Sequence, residues 1–390
     1  QIMQTITGLP IGLTTGGTIL IGQYYGAQKR QQVFNAIKTI LILFTILAML
    51  MTAATIFALS PICTLMQVPE QALTATKSYL LICAWGIPFI IGYNAVSGIL
   101  RGLGNSKTPL LFIAISCGIN IISDFIFVAI LQMGATGTAI STVFAQGLGL
   151  IFIFLYLTGK KLLQKYNISQ PQFSVISAHK ILLAGIPIAL QEGLVNASFL
   201  VITAIINHLG LIASAAVGVA EKLILFSMLP TTAFASAIAA ITAQHHGAGL
   251  IKRGRQCLYT GIAVALVFGT ACFLLAQQYA PFFMGIFTKD QAVIQAGAAY
   301  LHSYSLDCII VCFVFCLNTY FSGSGHPIFP LVHSIISTCL VRIPLSWLLS
   351  LQPEASLFQI GMAAPAASLL SLLLCQYYLW RTKKQLSFPQ

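Results

Sequence analysis

The stretch from Leu182 to Gly210 limits what this chain can fold into more than any other part of the sequence. It is long enough to cross a bilayer as one α-helix, which needs about 20 apolar residues. Near its middle, however, it carries Gln191, Glu192 and Asn196. A carboxylate at that depth costs at least about 2.5 kcal/mol to insert, so it normally faces a cavity or a partner. Glu192 is therefore a candidate functional residue.

Charged residues are too few to build a water-facing surface. Only 7% of the 390 residues are charged and 58% are hydrophobic, whereas a soluble domain carries about 25% charged residues. The sequence therefore predicts an all-α integral membrane protein. The net charge of +12 does not indicate nucleic-acid binding, because the basic residues fall in short loops between apolar spans and not on one continuous face.

Eleven apolar segments are each long enough for a tilted membrane-spanning helix. They are residues 3–22, 34–59, 73–100, 109–131, 134–158, 182–208, 214–243, 257–280, 293–320, 327–350 and 358–380. Alternate loops receive nearly all of the Lys and Arg residues, and the positive-inside rule places those loops in the cytoplasm. We therefore predict a multi-pass protein of the plasma (inner) membrane whose C-terminus is cytoplasmic.

The two halves of the chain match at a constant offset of 221 positions, the separation of Gln23 from Gln244. The other matched pairs include Gly26 with Gly247, Gly102 with Gly323, Gly104 with Gly325, and Pro109 with Pro330. The span at 182–208 opens the second copy and has no counterpart in the first. We therefore expect a first span upstream of residue 1 in the full protein, and twelve spans in two pseudo-symmetric six-helix bundles.

The repeat predicts the organisation of the chain. Residues 1–158 would form an N-terminal bundle (helices 2–6), 159–180 a cytoplasmic linker, and 181–390 a C-terminal bundle (helices 7–12). Since each bundle has an even number of spans, both copies insert in the same orientation. They would be related by an axis along the membrane normal, with a cleft near the midplane.

Several short motifs are spread along the chain from its first span to its second half. They are GQYYGA at 22–27, LRGLGNSKTP at 100–109, Asn120 with Asp124, GATGTA at 134–139, Gly185-Ile186-Pro187, Gln191-Glu192, and VGVAEK at 217–222. In these motifs and their order, the chain resembles the multidrug and toxic compound extrusion (MATE) family over nearly its whole length. The resemblance implies an exporter of amphipathic, often cationic compounds that is driven by inward flow of sodium ions or protons. The family's first helix, which often carries a functional acidic residue, is absent from this sequence.

Two acidic residues lie near the middle of spans in the second half of the chain. At about 1.5 Å per residue, Glu192 is roughly 15 Å and Asp307 roughly 20 Å from the cytoplasmic ends of their spans. The two carboxylates could bind a sodium ion with help from amide oxygens of Asn196 or Asn318. They could instead carry a proton, because burial disfavours the charged form. Pairing with Arg342 or Lys222 would give them a purely structural role.

Two further acidic residues lie inside spans. Asp124 is a candidate for proton coupling, and the alternative is a hydrogen bond to Asn120 one turn away. Glu221 is followed by Lys222, so an ion pair or a place at the rim of a cavity is favoured over coupling. The predicted ion or proton couplers are Glu192, Asp307 and Asp124, and the predicted substrate or ion cavity contains Gln191, Asn196, Asn318 and Glu221.

The favoured function is secondary-active export by alternating access. A flippase for a lipid-linked saccharide is the alternative, but it would need several basic residues in its cleft, and the spans offer only Lys222 and Arg342. There is no HExxH, GxSxG or Walker motif and no Cys/His spacing of a metal site, so we expect no enzyme, catalytic residue, metal or cofactor. The expected partners are small amphipathic substrates and the lipid bilayer, and the protein is expected to be a monomer.

Overall fold

The computed structural model describes residues 2–65, 70–159, 173–352 and 356–385, and within them it contains helices and no strand. The helices are α1 (Ile2–Gly26), α2 (Arg30–Leu65), α3 (Glu70–Gly102), α4 (Lys107–Asp124), α5 (Gly134–Gly159), α6 (Val175–Asn207), α7 (Leu211–Gly247), α8 (Ile251–Gly285), α9 (Gln291–Tyr304), α10 (Asp307–Gly323), α11 (Ile328–Ser337), α12 (Ile343–Ser350), α13 (Leu357–Gly361) and α14 (Ala363–Gln385). The all-α prediction is confirmed.

Membrane-spanning helices account for nearly all of the described chain. Nine helices are long and apolar enough to cross a membrane, or ten if the bent pair of α9 and α10 counts as one span, within the described residues. These ten coincide with ten of the eleven expected spans. The eleventh expected span, residues 3–22, is α1, which is not among the ten.

Large apolar side chains cover the outside of the helices. Phe57 is 85% exposed and Leu211 86% exposed. In water such surfaces would drive aggregation, whereas in a bilayer they contact acyl chains. The exposed apolar surface therefore agrees with insertion into a membrane.

The chain divides into two compact units. The first comprises residues 1–189 with 247–249, and the second comprises 190–246 with 250–390. Helix α6 contributes its first part to the first unit and the remainder to the second. Because α6 begins at Val175, the last residues of the expected linker 159–180 are helical, and residues 160–172 of that linker lie outside the described part of the chain.

Helix α3 is at the centre of the first unit, where it packs against α1, α2 and α5. Buried isoleucines of α1, α2 and α3, such as Ile21, Ile37 and Ile87, form the core. On the other side of α1, Gly16 and Gly185 allow the backbones of α1 and α6 to touch. A Cβ added at Gly16 would lie 2.6 Å from the backbone nitrogen of Gly185, so both positions require glycine.

The second unit contains a broken span. The sequence predicts one helix over 293–320, but α9 and α10 meet at an angle of 46° at Ser305 and Leu306. The break frees backbone carbonyls that an unbroken helix would have bonded internally. Gln277 on α8 compensates, because its Nε2 donates to the carbonyl oxygen of His302 at 2.7 Å and to the hydroxyl of Ser305 at 2.8 Å.

The internal repeat is visible in the backbone of the turns. Gly104 and Gly325, which are 221 positions apart, have φ of 88° and 91°, and Gln28 and Gly249, also 221 apart, have φ of 57° and 72°. The hydrogen bonds of these turns also correspond. The amide of Asn105 donates to the carbonyl of Leu100 at 2.8 Å, and the matching pair, residues 326 and 321, has a distance of 2.9 Å. The pseudo-symmetric duplication is therefore confirmed.

Substituting Gly16 by Ala should destabilise the first unit. The new methyl group would overlap the backbone of α6, and overpacking of this kind costs about 1–3 kcal/mol. Thermal unfolding in detergent should show a lower midpoint for Gly16→Ala. Gly118→Ala is the matched control, since nothing lies within 4 Å of a Cβ at Gly118. Equal midpoints for the two variants would contradict the close approach of α1 and α6.

Substituting Gln277 by Ala should destabilise the break between α9 and α10. The loss of the bond to the His302 carbonyl is worth about 1 kcal/mol. Hydrogen exchange of the amides at 301–309 should become faster in Gln277→Ala than in the parent. Gln278→Ala, which changes the neighbouring exposed glutamine, should leave that exchange unchanged. Equal exchange rates in the two variants would contradict the claim that Gln277 stabilises the break.

Candidate ion and substrate site

The break in the second unit places a carboxylate inside the protein. Asp307 is the first residue of α10, and its side chain is only 3% exposed. Its Oδ1 atom is buried and has no hydrogen-bond partner among the residues that the structure describes. The break places Asp307 beside the cavity described next. It also creates a helix N-terminus, which stabilises the negative charge of the Asp307 carboxylate.

A polar cavity of about 80 Å³ adjoins Asp307. A water molecule needs at least about 10–15 Å³ of such volume, so the cavity has room for several. Its polar lining consists of Gln191, Tyr304, Asp307, Asn318, Ser334, Ser337, Thr338, Arg342, Ser368 and Ser371, all in the second unit. The remainder of its wall is apolar, including Phe199 and Val311.

Arg342 brings a positive charge into the same cavity. Its guanidinium donates to the hydroxyls of Ser198 at 3.1 Å and Tyr304 at 3.2 Å, and it lies 4.3 Å from the centre of the Phe199 ring. None of the hydrogen bonds recorded for it in the described residues reaches Asp307. The alternative that Asp307 is locked in a direct ion pair with Arg342 is therefore not what this structure shows.

A π-helical turn presents Arg342 to the cavity. Residues Thr338–Arg342 form this turn between α11 and α12, and the amide of Ile343 donates to the carbonyl of Thr338 five residues earlier. A π-helical turn widens the helix locally and is frequent at functional sites. The turn therefore places the buried guanidinium of Arg342 within a membrane-spanning segment, where it lines the cavity instead of facing the lipid.

Two of the predicted site residues, Gln191 and Asn318, line this cavity. Gln191 donates from Nε2 to the hydroxyl of Ser334 at 3.1 Å. Asn318 is 7% exposed, and its Oδ1 lies 2.7 Å from Nε2 of His333. The amide oxygen of Asn318 is thus already engaged, which limits its use as a ligand.

Three other predicted site residues do not line this cavity. Glu192 and Asn196 are exposed on the surface of α6, although Glu192 directly follows the cavity residue Gln191. Glu221 accepts a hydrogen bond from the hydroxyl of Thr203 at 3.1 Å. The structure thus does not bring Glu192 and Asp307 together around the cavity, and the role of Glu192 stays a prediction.

Asp124 forms a separate polar cluster in the first unit. Ser141 donates to its Oδ1, and the amide nitrogen of Asn120 donates to the same Ser141 hydroxyl at 3.2 Å. The expected alternative, a direct bond from Asn120 to Asp124, is replaced by a bridge through Ser141. A π-helical turn, Phe125–Ile130, follows Asp124 immediately.

The sequence interpretation missed the hydroxyl lining of the cavity. Ser334 and Ser337, and likewise Ser368 and Ser371, are three residues apart and therefore share a helix face. The two faces meet, because Ser371 donates to Ser337 at 2.8 Å. Paired serines at this spacing inside apolar spans were the available signal. No group of three or more His, Cys, Asp or Glu residues that suits a metal is present in the described parts of the chain.

The MatE family model matches residues 1–126 and 187–348. The chain belongs to the MatE family. It is therefore a multi-pass membrane transporter, and the resemblance seen in the sequence motifs is confirmed.

Relatives of this transporter span nearly its whole length. The probable multidrug resistance protein YpnP of Bacillus subtilis (strain 168) is 26% identical over 385 residues, which cover 98% of this chain and 86% of YpnP. The FAD transporter of Shewanella oneidensis is 25% identical over 386 residues, covering 95% of this chain and 83% of that protein.

Solved structures show the same fold. A MATE family transporter of the MOP superfamily in an outward-facing conformation has a TM-score of 0.92 at 20% identity, covering 100% of this chain and 87% of its own. A MOP superfamily transporter from Pyrococcus furiosus, whose binding pocket is described as having reversed polarity, has a TM-score of 0.90 at 19% identity and covers 99% and 86%.

We expect the contributions of Asp307 and Arg342 to the free energy of unfolding to be coupled, because the two residues carry opposite charges in one cavity. Removing one charge leaves the other buried without compensation. The losses of unfolding free energy in Asp307→Asn and Arg342→Gln should therefore add up to more than the loss in the double mutant. A double-mutant cycle of thermal or denaturant unfolding should give a coupling of about 1–3 kcal/mol. The same cycle with Asp290→Asn, an exposed residue, should be additive. Additivity in both cycles would show that the cavity charges do not interact.

Proposed function

We propose that this protein is a proton-driven exporter of amphipathic, often cationic compounds, and not an enzyme. We place it in the plasma (inner) membrane with a cytoplasmic C-terminus, because nearly all of the Lys and Arg residues in loops fall on that side. Membership of the MatE family and the multidrug resistance name of YpnP support export of such compounds. The observation that carries the coupling proposal is the buried, unpartnered oxygen of Asp307 beside a polar cavity.

The cavity favours a proton over a sodium ion. A proton needs one free oxygen, and Oδ1 of Asp307 is free. A hard metal cation needs a shell of several oxygens, but Tyr304 already accepts from Arg342 and Asn318 is paired with His333. The guanidinium of Arg342 also repels a second cation held at close range in a low-dielectric site.

Protonation changes the charge of the cavity. With Asp307 ionised, its charge balances that of Arg342. When Asp307 takes up a proton, the charge of Arg342 is left unbalanced, and a cationic substrate nearby is disfavoured. The bound proton and the bound substrate would thus bias the two states of an alternating-access cycle in opposite directions.

Glu192 is the second carboxylate in this proposal. It is exposed on α6 at about mid-membrane depth, where an unpaired charge is costly unless water or a ligand reaches it. We infer that Glu192 attracts the cationic group of the substrate while Asp307 holds the proton. The flippase alternative is not favoured, since the cavity contains one basic residue, Arg342, and one acidic residue.

Transport by reconstituted vesicles tests the two carboxylates separately. Asp307→Asn cannot be ionised, so accumulation driven by an imposed proton gradient should fall to the uncoupled background while downhill efflux of preloaded substrate persists. Glu192→Gln should weaken transport of cationic substrates by about tenfold, which corresponds to the loss of about 1.4 kcal/mol.

Asp290→Asn is the matched control for this experiment. Asp290 caps the start of α9 by accepting a bond from the amide of Ala292 at 2.9 Å, and Asn can replace it as a cap. It should transport like the parent. If Asp307→Asn retains gradient-driven accumulation, or if a sodium gradient alone drives the parent, the proposal of proton coupling at Asp307 is wrong.

A further inference from the structure

A second cavity lies in the second unit, near the ends of its helices, and does not include Asp307 in its lining. Its volume is about 100 Å³, well below the roughly 300 Å³ at which drug-sized ligand pockets begin. It is bounded by the end of α7, the start of α8 and the turn between α10 and α11. Its polar lining includes His246, Arg255, Ser324, His326 and Thr382.

Arg255 is the one charged residue among those that line this cavity. Arg255 and the two imidazoles contribute basic groups, and none of the residues that line the cavity is acidic. A buried donor atom of a cationic side chain that lacks an acceptor calls for an explanation, and a bound ion is one. The Nε atom of Arg255 is buried and has no hydrogen-bond partner within the described parts of the chain.

The start of α8 adds to the attraction for an anion. Ile251 is both the first residue of this 35-residue helix and part of the cavity wall. Leu250 at the cap position provides no side-chain bond to the free amides of the first turn. Such amides, together with the helix dipole, favour a bound phosphate or another anion.

The internal repeat shows that the fold itself does not require these basic residues. At the offset of 221 positions, His246 corresponds to Tyr25, Arg255 to Phe34, and His326 to Asn105. In the first copy Asn105 serves the turn, because its Oδ1 accepts from the amide of Thr108 at 3.1 Å. The same backbone turn therefore forms with neutral residues in the first copy. At the corresponding three positions the second copy has basic residues.

The apolar surroundings suit a ligand that arrives from the membrane surface. Tyr378 forms one wall and contacts the His326 ring edge-on, with centroids 6.1 Å apart. Lys252 and Arg253, in the first turn of α8, are exposed at the same level. Basic pockets between membrane helices at the cytoplasmic surface are suited to anionic lipid headgroups.

We propose that this cavity is a binding site for a phosphate group, held by Arg255, His246 and His326 against the start of α8. The phosphate belongs either to the headgroup of an anionic phospholipid or to a soluble phosphate compound. An Arg guanidinium and imidazole N–H groups are donors that match phosphate oxygens. The site is distinct from the Asp307 cavity and is independent of the coupling proposal.

Two variants replace the basic residues with neutral ones that the fold tolerates. His326→Asn restores the residue of the first copy, and Arg255→Gln keeps a long polar side chain. Lys252→Gln is the control, because it removes a positive charge from the same helix turn at an exposed position outside the cavity lining. Delipidated protein in detergent is titrated with phosphatidylglycerol, phosphatidylcholine or inorganic phosphate, and binding is followed by thermal stabilisation and by native mass spectrometry.

We expect phosphatidylglycerol to stabilise the parent and the Lys252→Gln variant alike. Binding to Arg255→Gln and His326→Asn should be weaker by about tenfold or more, as expected for loss of a charge-assisted hydrogen bond. Equal stabilisation by inorganic phosphate would identify a soluble phosphate compound as the ligand, whereas stabilisation by phosphatidylglycerol alone would identify the lipid. The proposal is overturned if neither probe binds the parent, or if Lys252→Gln loses as much affinity as the two cavity variants.

Discussion

A charge can remain inside the hydrocarbon layer only where the protein gives it polar neighbours, and this constraint governs the second unit. Asp307 and Arg342 satisfy it by sharing one polar cavity without forming a direct bond. Two interruptions of regular helix make this arrangement possible. The break between α9 and α10 opens the backbone at Asp307, and the π-helical turn at 338–342 turns Arg342 inward.

The long apolar segments were sufficient to predict the helices, because a bilayer allows few alternatives for a run of about 20 apolar residues. The repeat was equally readable, since its turns depend on residues that tolerate positive φ, such as Gly104 and Gly325. The break at Ser305 and Leu306 was not predictable in the same way. No Pro or Gly marks it, and its support comes from Gln277, which is distant in sequence.

Depth along a span could be estimated from the sequence, but orientation around the helix axis could not. One residue along an α-helix corresponds to a rotation of about 100°. Gln191 therefore faces the cavity while its neighbour Glu192 is exposed. The weak amphipathic pattern of a membrane helix, whose outer face is as apolar as its inner face, leaves this rotation undetermined. The serines at 334, 337, 368 and 371 indicate the inner face, because each pair is three residues apart.

The two π-helical turns lie in corresponding helices of the two copies but at different heights and beside opposite charges. Asp124 immediately precedes one turn, whereas Arg342 ends the other. The corresponding segments of the two copies thus differ in the position of the π-helical turn and in the sign of the charged residue beside it. If the two segments had identical sequences, these two helices would carry charge of one sign only, so the duplicated fold depends on the differences between its copies as well as on their likeness.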